Sequence, residues 1–202
     1  MNFAVALRRF ALAAGLALSL SACGINSVPT AEENAKAKWA DVEAQFQRRA
    51  NLIPNLAEVV RGAGENERSI LTEVTEARAR ATSVNIDAND LGDAEKMAEF
   101  QAAQAQLGAG IGRLLASFEA YPQIQSNQNY LALQSQLEGT ENRIAVSIRD
   151  YNEAVRQYNT TIRTFPDIIG AKVIHGAEPM VPYEAVTEGA EVAPELDMTS
   201  GN

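Results

Sequence analysis

Apolar side chains recur at helical spacing through most of this chain. Trp39, Val42, Phe46, Ile53, Leu56 and Val60 stand three, four or seven residues apart, which places them on one face of a helix. Arg49 occupies the point in that stripe where another hydrophobe is expected. Thr30 with Glu33 forms a capping box and predicts the helix start. Pro54, inside the pattern, removes one backbone hydrogen bond and predicts a kink or local break around residues 52–55. Gly62 and Gly64 then predict a connection, with Asn66 as the next N-cap. A second stripe carries Ile70, Leu71, Val74, Ala77 and Ala81 and dissolves over residues 85–92. A third, from about Asp93, carries Met97, Phe100, Gln104, Leu107, Ile111, Leu114 and Phe118 and stops at Tyr121-Pro122. The last is expected to be the longest, from near Ser126 to Phe165, or roughly 55–60 Å at 1.5 Å per residue. Nothing in the chain reads as a strand.

Four such segments joined by short punctuation bury their stripes most simply as a long antiparallel up-and-down helical bundle, an all-α fold with four helices. Three helices are the alternative, if Gly62 and Gly64 merely bend one continuous helix.

The first 23 residues follow a different pattern. Arg8 and Arg9 precede an apolar run from Phe10 to Leu20, and small residues lead to Cys23, the layout of a secretory signal. From Phe10 to Ala22 is only 13 residues, short of the roughly 20 that span a bilayer as a helix. Leu20-Ser21-Ala22-Cys23 resembles the bacterial lipobox, which implies cleavage before Cys23 and acylation of its thiol. A plain secretory signal with a leftover free or buried thiol is the alternative. Cys23 is the sole cysteine, so no disulfide forms within the chain. Gly24, in place of an Asp, favours the outer over the inner membrane. The expected organisation is a signal peptide at 1–22, the lipidated cysteine and a flexible spacer at 23–30, the bundle at 31–176, and a solvated tail at 177–202. That tail holds six acids, three prolines and no base.

Charge narrows the partners. The formal charge is −9; loss of Arg8 and Arg9 with the leader leaves 15 basic against 26 acidic residues, a net of −11. That balance argues against nucleic acid as a partner and against electrostatic docking on anionic lipid. Acyl chains on Cys23, at about 0.8 kcal/mol per buried methylene, supply a tether that needs no basic face.

The candidate chemistry is sparse. Glu73 with Glu76, and Glu138 with Glu141, put carboxylates on single helix faces, but a carboxylate-bridged metal pair also needs helical histidines. The single histidine, His175, lies outside the long helices and is given no role. No catalytic, metal or cofactor site is assigned. Arg49 is either paired with a buried carboxylate, Glu138 or Glu141, as a register device, or reaches water along its stem. Tyr151-Asn152 and Tyr158-Asn159 repeat at seven residues and put two rings and two amides on one face. That face is either a core edge with satisfied hydroxyls or a groove for a helix or an extended peptide.

Two segments carry a family resemblance: RRANLIPNLAEVVRG at 48–62 with VTEARARA at 74–81, and EAYPQIQSNQNYLALQSQLEGTENRIAVSIRDYNEAVRQYNTTIRTFP at 119–166. In this order they resemble the LemA proteins. The resemblance implies a long antiparallel helical bundle on an N-terminal membrane anchor, with no established catalytic residues. The chain departs from the family at its front, where many members carry a transmembrane helix and no lipidation signal. It departs again after Phe165-Pro166, where the usual Gly-rich finish is replaced. The expected function is that of a non-catalytic interaction or scaffold protein, lipid-anchored at the periplasmic face of the bacterial envelope and bound to other envelope proteins or to copies of itself. A membrane-shaping, lipid-contact role on a bilayer is the alternative.

Overall fold

The computed structural model describes residues 2–59 and 65–184, and for 2–25 it describes the backbone. Four long helices carry the predicted stripes: α1 (Asn2–Val59), α2 (Glu65–Ser83), α3 (Ala94–Ser117) and α5 (Gln128–Thr161). The short α4 (Pro122–Gln125) bridges α3 to α5 after a single 3₁₀ turn, and α6 (Asp167–Gly170) runs into a π turn, Ala171–His175. The connection expected at Gly62 and Gly64 lies outside the described residues. Asp93 caps α3 by accepting from the amides of Glu95 and Lys96 at 3.0 and 3.1 Å, and Asn127 caps α5 through Asn129 N at 2.9 Å.

Two boundaries differ from the sequence expectation. The helix does not begin at Thr30, whose hydroxyl donates back to Asn26 O at 2.7 Å, as a mid-helix threonine does, and caps nothing. Val28, Ala31 and Ala35, all buried, continue the apolar stripe upstream of Trp39. Burial therefore extends the helix through the residues expected to form a spacer, and α1, not the last helix, is the longest. Helix α5 stops at Thr161, short of Phe165, and a cis Phe165–Pro166 bond follows.

Pro54 lies within α1 without ending it. A proline leaves the carbonyl four residues back without its amide donor. Here that carbonyl is Ala50 O, and Arg78 Nε of α2 donates to it at 2.8 Å. A side chain from the neighbouring helix thus restores the bond that the proline removes.

The buried residues form two clusters stacked along the bundle. One joins residues 28–46 of α1 to the start of α3 and the C-terminal half of α5, around Trp39, Phe46, Phe100, Tyr151 and Ile162. Trp39 packs edge-on to Phe100 at 5.3 Å and against Tyr151 at 5.1 Å. The other joins Ile53 and Leu56 to α2, α3 and the start of α5, around Val74, Leu107, Leu114, Phe118 and Leu137. Low-numbered α1 residues meet high-numbered α5 residues, so the two helices are antiparallel.

Gly139 sits in the interior of α5, exposed, with open space where a Cβ would stand. Gly139→Ala is therefore expected to raise stability by about 0.5–1 kcal/mol through helix propensity alone. A urea midpoint unchanged or lowered would show an unrecognised contact there.

Candidate functional site

The two features singled out from sequence, Arg49 and the Tyr-Asn repeat, both lie where polar groups are enclosed. Arg49 is 4% exposed and falls between the two clusters: Phe46 and Ile53 flank it on α1, Phe100 and Leu107 flank Gln104 on α3, and Leu137 and Ile144 flank Glu141 on α5. Its Nη1 donates to Glu141 Oε1 at 3.1 Å, and its Nη2 to Gln104 O and Gln104 Oε1, both at 2.9 Å. The guanidinium lies 4.9 Å from the centre of the Phe46 ring. Gln104 in turn donates to Ala81 O of α2 at 3.1 Å. With the Arg78–Ala50 bond, one polar layer ties α1, α2, α3 and α5 together. Gly108 admits it, since a Cβ there would stand 3.3 Å from Arg49 Nη1.

Of the two acids proposed from sequence, Glu141 is the partner of Arg49. Glu138 instead accepts from Gln134 at 3.1 Å. Glu73 faces Arg113 at 3.6 Å across an exposed pair, and Glu76 is exposed. Among the described residues no group of three or more His, Cys, Asp or Glu is placed to hold a metal ion.

The Tyr-Asn repeat holds a part of the chain expected to be solvated. Gly176, in the left-handed region at φ 57°, turns the backbone out of the π turn, as glycine does without steric cost. Residues 177–184 then run extended along α5. Asn159 accepts from Met180 N at 2.9 Å and donates to Met180 O at 2.8 Å. Asn152 does the same at Tyr183, at 2.8 Å each way. Tyr158 and Tyr151 hydroxyls donate to Glu178 O at 3.0 Å and Val181 O at 2.8 Å. Val181 N donates to Leu91 O at 2.8 Å. Gln101 of α3, with its amide nitrogen toward the carbonyl, makes the same paired contact at Glu184, at 3.2 and 2.9 Å. Pro179 and Pro182 have no amide to satisfy, so the side chains bind every backbone N–H from Met180 to Glu184 except that of Val181, which Leu91 takes. Met180 and Tyr183 are buried in the first cluster, and Tyr183 stacks on Phe46 at 5.8 Å.

The tail prediction is thus corrected for residues 177–184. The two prolines and the acids suggested solvation, but the prolines favour extended backbone and Met180, Val181 and Tyr183 bring apolar surface. The readable signal was an asparagine at seven-residue spacing beside each tyrosine, a pattern able to grip extended backbone at two points. Residues 185–202 lie outside the described residues, as does the side chain of Cys23.

Burial pushes the Tyr151 phenol up, and that of Tyr183 up to about 12. A folded pKa raised above the unfolded value near 10 gives stability that is complete below pH 10 and lost as pH rises toward 12. For Tyr183 this amounts to about 2–3 kcal/mol by pH 12. The extended segment is expected to detach in that window, read as loss of the near-ultraviolet circular dichroism of the packed aromatic rings, and Tyr183→Phe should reduce the loss, leaving the part that belongs to Tyr151. An unchanged profile in that variant would place the alkaline transition elsewhere.

The model for the LemA family matches residues 38–198 of this chain. A magnetosome protein, MamQ 2 of Paramagnetospirillum magneticum, is 30% identical over 158 residues, covering 70% of this chain and 58% of its own length. MamQ of Magnetospirillum gryphiswaldense is 28% identical over the same coverage. Protein LemA of Metamycoplasma hominis is 25% identical over 122 residues, 60% of this chain and 51% of the relative. The chain thus spans between half and three fifths of the length of these relatives.

Proposed function

The chain belongs to the LemA family, and on that premise we propose that it is a lipid-anchored, non-catalytic scaffold of the bacterial envelope, facing the periplasm and binding other envelope proteins. The observation that carries this reading is the position of Cys23 on α1, one helical turn ahead of Ser27, where the packed body begins. A diacylglyceryl group there would hold the end of the bundle directly against a bilayer, with no intervening spacer. Among the described residues no helix is long and apolar enough to cross a membrane, and a net charge of −11 after leader removal opposes adhesion to anionic lipid. Acyl chains on Cys23 are the anchor that this reading invokes.

A scaffold role also fits how the polar core is used. Arg49, Gln104 and Glu141 fix helix register, and Tyr151, Asn152, Tyr158 and Asn159 bind the protein's own backbone. A second reading, direct lipid contact, draws on the apolar residues around α6 near the anchored end.

Cys23→Ala separates a tethered scaffold from a bystander. Cross-linking in cells is expected to capture defined envelope proteins with the parent chain and to lose them, by tenfold or more, with the variant. Equal capture by both forms, or no enriched protein with either, would count against the scaffold reading.

A further inference from the structure

The geometry points to a second membrane contact: the cap formed by Phe165, α6 and the π turn is an apolar wedge that enters the outer part of the bilayer beside the acylated Cys23. This deepens the reading of the chain as lipid-anchored at Cys23 and rests on it.

Phe165, Ile169, Val173 and Ile174 are 79, 56, 78 and 57% exposed. Four large apolar side chains within ten residues is a concentration that a solvated loop avoids. Among the described residues the other exposed large hydrophobics, Leu131 and Val146, stand singly on α5. The cap's small residues point the other way: Gly170 and Ala171 are buried, with Ala171 in the first core cluster beside Val28, Ala31 and Ile162. The segment is therefore fixed on the bundle with its large apolar side chains outward.

Its place is set by a hydrogen bond. Ser27 Oγ donates to Asp167 Oδ1, which joins the start of α6 to α1 four residues after Cys23, about 6 Å along the helix axis. Any bilayer holding acyl chains at Cys23 lies within reach of this cap. The bond also turns the cap's one acid inward. Arg163 precedes the apolar residues and Lys172 stands among them, both exposed, an arrangement in which long cationic stems reach lipid phosphates while the apolar residues insert. Within residues 163–175 the two bases Arg163 and Lys172 stand against one acid, Asp167.

The test uses the mature, lipidated protein in vesicles of phosphatidylethanolamine and phosphatidylglycerol. Since Cys23 is the only cysteine and is acylated, Val173→Cys or Leu131→Cys supplies a single thiol for an environment-sensitive fluorophore. Leu131 is a control at the far end of α5, about 45 Å from Thr161. The Val173 probe is expected to shift to the blue and to be quenched by spin-labelled lipid at least fivefold more than the Leu131 probe. Equal, water-like emission at both positions on protein that co-floats with vesicles would overturn the wedge while leaving the anchor intact. Shielding without lipid quenching, together with cross-linked Val173→Cys dimers, would also overturn it by making a second copy the occupant. Failure of the lipidated protein to co-float would remove anchor and wedge together.

Discussion

Arg49→Ala is expected to lower the unfolding free energy by about 3–5 kcal/mol, read from the urea midpoint. The change removes a buried long side chain, with the cavity cost that follows, and it deletes the donor that joins Glu141 and Gln104. The two ends of the ion pair are not equivalent. Arg49 has a 5% exposed side chain, whereas that of Glu141 is 50% exposed and can hydrate when left alone. Glu141→Ala is accordingly expected to cost less, about 1–3 kcal/mol, because Arg49 keeps Gln104 and the Phe46 ring although its charge loses compensation. Arg49→Met separates volume from polarity: it refills the space and should recover part of the loss. A destabilisation by Arg49→Ala of under 1 kcal/mol would show that the layer between the two clusters does not hold the helices together.

Asn152→Ala combined with Asn159→Ala should free the segment at residues 177–184 without unfolding the bundle. The pair removes four hydrogen bonds, at about 1 kcal/mol net each. Local opening is then favoured by about 4 kcal/mol, or two to three orders of magnitude in amide exchange at Met180 and Tyr183. Exchange within α3 and in the middle of α5 should change little. Uniform acceleration across the bundle would mean that the segment is integral to global folding, and no acceleration would mean that Tyr151, Tyr158, Leu91 and Gln101 hold it without the asparagines.

Periodicity revealed the helical architecture because each stripe is a local property of the sequence. The stripes from Trp39 to Leu56 and from Met97 to Phe118 are buried as their spacing requires, and so are Tyr130, Leu133, Leu137, Ile144, Tyr151, Val155, Tyr158 and Ile162, with Ile148 partly buried. The misplaced start of α1 came from giving a local capping box more weight than Val28 and Ala31, which are buried in one cluster with residues as distant in the chain as Ile162 and Ala171. The same limit applies to the polar layer. Arg49 stood out as a charge in an apolar stripe, but the choice of Glu141 over Glu138 depends on the register of α5 against α1. The partnership of Arg78 with the carbonyl freed by Pro54 is likewise a meeting of two helices. At the end of the chain, composition argued for solvation, while the paired asparagines that bind the segment lie more than twenty residues upstream.

Mass spectrometry of the intact protein from the membrane fraction tests the account most directly. The predicted result is a chain that begins at Cys23 and carries a thioether-linked diacylglyceryl group on that residue. A soluble chain with an unmodified thiol, or one that retains residues 1–22, would contradict it.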